Sequence, residues 1–147
     1  MSFRPHSEKE VRDFLKKPHG RRKEIVDPQT IEKIIARLKE LNFVNDEEFA
    51  RLWVEQRTGS RPKGFRLIKL ELQQRGVDRE TIEKIFGYYD IKILSTEGAK
   101  KLVEKQYPKY AKLAKQEIRQ KLGQFLLRRG FDWETVKQVI DEVLKKE

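Results

Sequence analysis

The chain has 147 residues, 37% hydrophobic and 39% charged, with a net charge of +10 and no cysteine. Charge this far above the roughly 25% of ordinary domains leaves material for a thin core, and its sign points to an anionic partner, nucleic acid or an acidic protein surface. Disulfide and thiol chemistry are excluded, no apolar run approaches the roughly 18 residues of a membrane span, and the N-terminus lacks a signal-peptide core, so a cytoplasmic protein is expected.

Ser7 and Glu10 stand at capping-box spacing, and Val11, Phe14 and Leu15 follow at i, i+3, i+4. That predicts a short helix ending by Pro18, after which residues 18–26 read as a basic loop. Asp27-Pro28 supplies an N-cap with proline at the first helical position. Ile31, Ile34, Ile35, Leu38 and Leu41 then continue a helical stripe to about Asn42.

A third helix opens at Asn45, with Glu48 closing a second capping box and Phe49, Leu52 and Trp53 at helical spacing. Trp53 is read as core in preference to a ligand platform. The linker Thr58 to Gly64, with two glycines and Pro62, ends that helix, and a fourth begins near Lys63. On it Phe65, Ile68 and Leu72 share one side while Leu67 and Leu70 fall nearly opposite, predicting a helix sandwiched between neighbours. Glu71 and Arg75 are spaced to pair at i, i+4.

Asp78 caps a fifth helix, and Tyr88, Tyr89, Ile91, Ile93 and Leu94 read as an apolar crossover. A helix from Ser95 to Tyr107 is broken by Pro108. A long helix then runs from about Lys109 to Arg129, with Tyr110, Leu113, Ala114, Ile118, Leu122, Phe125 and Leu126 inward, and a last one from Trp133 to about Lys145. No strand pattern occurs, so the fold class is all-α, with about eight helices and no sheet.

The chain also repeats itself. Residues Asp27 to Ile34 match Asp78 to Ile85 at six of eight positions, and Asp132-Trp133-Glu134-Thr135-Val136 is a third copy; Leu72 and Arg75-Gly76 recur as Leu126 and Arg129-Gly130. One supersecondary unit has been reused, which predicts an elongated tandem array of three-helix units. The boundaries expected are 1–58 for the first unit, 59–107 for the second, and 108–147 for a third, truncated one.

Phe49-Ala50, Trp53, Arg57, Lys63-Gly64, Glu71-Leu72 and Arg75-Gly76-Val77 resemble the core signature of the RecX family, bacterial regulators of the recombinase RecA. Arg4 to Glu10 is similar to that family's entry motif, whereas Phe65 stands where a proline is frequent and 18–26 is an enlarged loop. The resemblance implies tandem three-helix units and a regulator that binds the RecA filament along its groove or at its growing end. It also implies lowered RecA ATPase, strand exchange and co-protease activity, with nucleotide and magnesium belonging to RecA.

Two basic surfaces are candidates for contact. From Arg57 to Arg75 there are six Lys or Arg against Glu71 alone, including Arg57, Arg61, Lys63, Arg66 and Lys69; from Lys100 to Arg129 there are ten against Glu104 and Glu117. Within the second, Lys112, Lys115 and Arg119 fall at i, i+3, i+7. Each surface is either a solvated face or a phosphate- or acid-binding one, and both readings stand. Catalysis finds no support: His6 and His19 are not at ligand spacing, Asp46-Glu47-Glu48 suits a helix N-terminus, and Gly59 to Gly64 is not a Walker loop. The expectation is therefore no enzyme, no metal, no cofactor and a monomer, with the RecA filament as partner. The alternatives are an autonomous helical DNA- or RNA-binding module and an adaptor for another acidic protein.

Overall fold

A computed structural model describes residues 6–17 and 26–145. Among the described residues there are eight helices: α1 (Glu8–Lys16), α2 (Pro28–Glu40), α3 (Asp46–Arg57), α4 (Phe65–Gln74), α5 (Arg79–Phe86), α6 (Ile91–Tyr110), α7 (Lys115–Arg128) and α8 (Trp133–Lys145). The fold is all-α, and its one extended pairing among these residues is an isolated parallel bridge between His6 and Val44. Arg4, Pro5, His19 and the loop over 18–25 lie outside the described residues.

The chain divides into two compact units. One comprises the described residues up to Trp53 with Glu71–Ile85, the other Val54–Leu70 with the described residues from Phe86 onward.

In the first unit, Val11, Ile31, Ile35 and Val44 form a core, with Leu15, Val26 and Leu38 packed on it. The predicted box at Ser7 and Glu10 caps α1, and the Ser7 hydroxyl also donates to the Arg75 carbonyl at 2.8 Å. Asp46 Oδ1 accepts the Glu8 backbone N–H at 2.9 Å, so the start of α3 caps the start of α1. Arg12 ties α1 to α2 by donating to both Glu8 and Glu32. Asn45 caps α3 through Oδ1 and the Glu48 amide, while the Glu48 carboxylate engages Arg51. Trp53 is core as expected; the Arg75 guanidinium lies 4.8 Å above its ring centre, with Nη1 3.9 Å from Glu10 Oε2. His6 is half-buried with Nε2 enclosed.

The repeat has a physical meaning. At Gly76 (φ 86°) the Val77 amide donates to the Leu72 carbonyl at 3.0 Å, and at Gly130 (φ 93°) the Phe131 amide donates to Leu126 at 3.2 Å. Asn42 (φ 62°) closes α2 in the same way, the Phe43 amide bonding Leu38 at 2.9 Å. All three are left-handed C-terminal caps, a conformation that glycine and asparagine tolerate. The Asp that follows caps the next helix through its side chain at Asp78 and Asp132, 2.7 and 2.8 Å from the Thr81 and Thr135 amides. Asp27 makes no such bond.

In the second unit, α6, α7 and α8 enclose a core centred on Val103, Leu122, Leu126, Phe131, Val136 and Val139. Two sequence expectations fail here. Pro108 does not end a helix: α6 runs from Ile91, through the supposed crossover, to Tyr110. Asp90 caps it at 3.1 Å from the Ile93 amide, and Tyr107 and Tyr110 pack on the core at its far end, holding the last turn despite the proline. The next helix starts at Lys115, not Lys109, behind an Ala114 that has no capping side chain. Without a cap residue, nothing local marks that start.

The sandwich predicted for α4 is one-sided. Phe65, Ile68 and Leu72 are buried, Leu67 is half-buried and Leu70 is 49% exposed.

Candidate binding surface

The eight candidate cations all belong to the second unit. They fall into two groups at opposite ends of α7, whose 14 residues span about 20 Å at 1.5 Å per residue.

At the C-terminal end, the linker and the start of α4 close directly onto the backbone of the α7 cap. Gly64 donates its amide to the Arg129 carbonyl at 2.8 Å, and a Cβ at Gly64 would lie 2.0 Å from the Gly130 carbonyl oxygen. Only glycine permits that approach. The buried Pro62 packs against Gly98 of α6, and the Lys63 amide donates to the Arg57 carbonyl at 2.8 Å, closing the linker into a tight loop. Guanidinium groups complete the joint. Arg66 Nη2 donates to the Leu127 carbonyl at 3.1 Å, while Arg129 Nη2 donates to the carbonyls of Arg61 and Pro62 at 3.0 and 3.2 Å. Cations at a helix C-terminus satisfy carbonyls left open there and oppose the negative end of the helix dipole.

The chemical consequence is a fixed concentration of positive charge. Among the described residues Arg61, Arg66, Arg128 and Arg129 form no ion pair with a carboxylate; Arg66 and Arg129 bond only carbonyls. Arg61, Arg66 and Arg128 are exposed, Lys63 and Lys69 half-buried. Arg57 is half-buried behind the linker.

The other group does not form the strip expected. Lys112 lies in the turn between α6 and α7, so it shares no helix with Lys115 and Arg119. Arg119 is engaged by Asp141, whose carboxyl it holds below the usual range, which cancels its charge. Lys112 and Lys115 remain exposed.

Sequence reasoning missed Arg128 and Arg129 as members of the first group. Both were visible beside Gly130, in the segment that repeats Arg75-Gly76, but nothing in their spacing shows that this segment meets the 58–64 linker. The described residues hold no cluster of His, Cys, Asp or Glu suited to a metal ion. No described helix is long and apolar enough to cross a membrane.

Comparison with known proteins follows the same helices. Two family models match the chain: the second three-helix domain of RecX over residues 45–84, and the third three-helix domain of RecX over residues 96–140. These groupings take α3 to α5 together and then most of α6 to α8. The chain is 34% identical to the regulatory protein RecX of Prosthecochloris aestuarii over 98% of this chain and 88% of that one. It is 32% identical to the regulatory protein RecX of Bacillus subtilis over 97% of this chain, but spans about half (52%) of that relative's length. The crystal structure of RecX from Lactobacillus salivarius superposes with a TM-score of 0.81 at 28% identity, covering 95% of this chain and 86% of that one. A second crystal structure, of a regulatory protein RecX, gives a TM-score of 0.79 at 22% identity and shares the fold.

Proposed function

The chain belongs to the RecX family of regulatory proteins, and from that premise we propose that it binds the RecA nucleoprotein filament and lowers RecA's ATP hydrolysis, strand exchange and co-protease activity. The observation that carries this reading is the cationic joint at the C-terminal end of α7. Its charge is held on guanidinium groups already ordered by carbonyl bonds. Less side-chain freedom is lost when they meet an acidic surface or a phosphate than when free lysines do. The chain contributes contact and charge; nucleotide hydrolysis is RecA's.

The contacts proposed are Arg61, Lys63, Arg66 and Lys69 with Arg128 and Arg129, and Lys112 and Lys115 at the other end of α7. Arg57 is a further contact on the linker side, and Arg119 takes a lesser part, being ion-paired to Asp141. The test is RecA's ATP hydrolysis on single-stranded DNA with purified protein titrated in at substoichiometric ratios. Inhibition well below one copy per RecA is expected, as is its weakening by Arg61→Glu with Lys63→Glu. Unchanged hydrolysis up to one copy per RecA refutes the reading.

A second reading, direct binding of nucleic acid without RecA, is favoured by one further fact. Among the described residues Arg61, Arg66, Arg128 and Arg129 form no ion pair with a carboxylate, which leaves their charge available to a phosphate. Affinity that falls steeply with salt is its signature, through counterion release.

A further inference from the structure

Trp133 is 63% exposed, although tryptophan is among the residues that gain most from burial. The capping frame around it does not call for an aromatic ring. The corresponding positions in the other two copies are Pro28 and Arg79. Its backbone is nonetheless firmly held. Phe131 on one side is 2% exposed, Val136 on the other is fully buried, and Asp132 is locked to the Thr135 amide at 2.8 Å. A flat indole is thus presented to solvent from the first position of α8, on a rigid base.

Trp133 also lies three residues beyond Gly130, the residue on which Gly64 closes. The α8 start therefore lies a few residues along the chain from the cationic joint, whose backbone closes at Gly64 and Gly130 and which carries Arg61, Lys63, Arg66, Arg128 and Arg129. Two carboxylates, Asp132 and Glu134, flank the ring in sequence. Asp132 keeps its charge while accepting the Thr135 amide, and the four arginines that form no ion pair, Arg61, Arg66, Arg128 and Arg129, outnumber the two.

We propose that Trp133 is a stacking platform for an unpaired nucleobase, with the cations of the joint holding the phosphates on either side, so that together they bind single-stranded nucleic acid. Each component answers a different part of the ligand. Cations alone would serve any polyanion, duplex DNA or acidic protein included. An exposed aromatic face adds binding only where a base can leave its own stack, which a single strand permits and a duplex does not. The proposal rests on the nucleic-acid reading above and is independent of RecA.

The test uses the full chain and three labelled probes: a short oligothymidylate, an abasic strand of equal length, and a duplex. Anisotropy measures affinity, and intrinsic fluorescence reports the ring. The chain has two tryptophans, and Trp53 is buried, so quenching on binding reads Trp133. Oligothymidylate is expected to quench that fluorescence and to bind more tightly than the abasic strand. Trp133→Ala should weaken oligothymidylate binding about tenfold and leave the abasic strand unaffected, with Trp133→Phe in between. An unchanged thermal midpoint in Trp133→Ala shows that the fold is retained, as expected for an exposed side chain. Equal binding of wild type and Trp133→Ala to oligothymidylate, or equal affinity of wild type for all three probes, overturns the platform while leaving the electrostatic reading in place. Absence of binding to every probe overturns both.

Discussion

Replacing Gly64 by alanine is the sharpest test of the joint between the linker and the end of α7. The added Cβ would lie 2.0 Å from the Gly130 oxygen, 2.1 Å from its carbonyl carbon and 2.3 Å from the Phe131 nitrogen. All three are backbone atoms, which cannot rotate away. Ordinary carbon–oxygen contacts lie at about 3.3 to 3.6 Å, so the two segments must separate by more than about 1 Å. That opens the 2.8 Å bond from the Gly64 amide to the Arg129 carbonyl. The lost bond costs about 1 kcal/mol and the overpacking about 1–3 kcal/mol, for a total near 3 kcal/mol. For a chain of this size that lowers the thermal midpoint by about 6–12 °C, measured by circular dichroism. Two other glycines calibrate the result. Gly59→Ala meets nothing nearer than 3.5 Å and should be close to neutral. Gly123→Ala, within α7 and 3.8 Å from its nearest neighbour, should raise stability by about 0.5–1 kcal/mol through helix propensity. A Gly64→Ala midpoint indistinguishable from that of Gly59→Ala would refute the close approach.

Three further outcomes are expected. Asp78→Ala and Asp132→Ala each remove a capping bond and should cost about 1 kcal/mol in denaturant unfolding, whereas Asp27→Ala, which removes none, should cost less than half as much. Asp46 tests the pH response: burial first, and then the charges of Glu8 and Asp78, push its carboxyl above the usual range, against the Glu8 amide that lowers it. Because its folded-state pKa is raised, its contribution is fully present below the unfolded value and is lost as pH rises through the folded one. Asp46→Asn should therefore match the parent near pH 3 and become relatively more stable toward neutral pH; a difference that shrinks instead would contradict the burial. Finally, Arg66→Glu with Lys69→Glu should weaken partner binding at an unchanged helical signal. The lost Arg66–Leu127 bond adds a stability cost of about 1 kcal/mol that Lys69→Glu alone does not show.

Much of the fold was legible because its signals are local. Ser7 with Glu10, Asn45, Asp78 and Asp132 mark helix starts by a side chain reaching an amide three residues on, and the glycines at 76 and 130 mark helix ends by a conformation other residues avoid. Helical spacing of apolar residues gave the buried faces of α2 and α3. Where these signals were missing or contradicted, the reading slipped. Ala114 offers no cap, so the start of α7 was placed early. Pro108 argued for a break that the packing of Tyr107 and Tyr110 overrides.

The candidate surface divides in the same way. Its charge was countable along the chain, and Arg61, Lys63, Arg66 and Lys69 could be named because they are neighbours in sequence. That Arg128, Arg129 and Trp133 join them depends on Gly64 meeting Gly130 across 66 positions of chain. So does the assignment of Arg66 and Arg129 to carbonyls, and of Arg119 to Asp141, which separates retained from cancelled charge. Caps and amphipathic stripes act within a turn or two, so the sequence by itself determined the helices, the repeat and the sign of the surface. Packing between distant segments is a property of three-dimensional closure, and only the tertiary structure decided which cations gather at one end of α7 and which ring stands exposed at the start of α8.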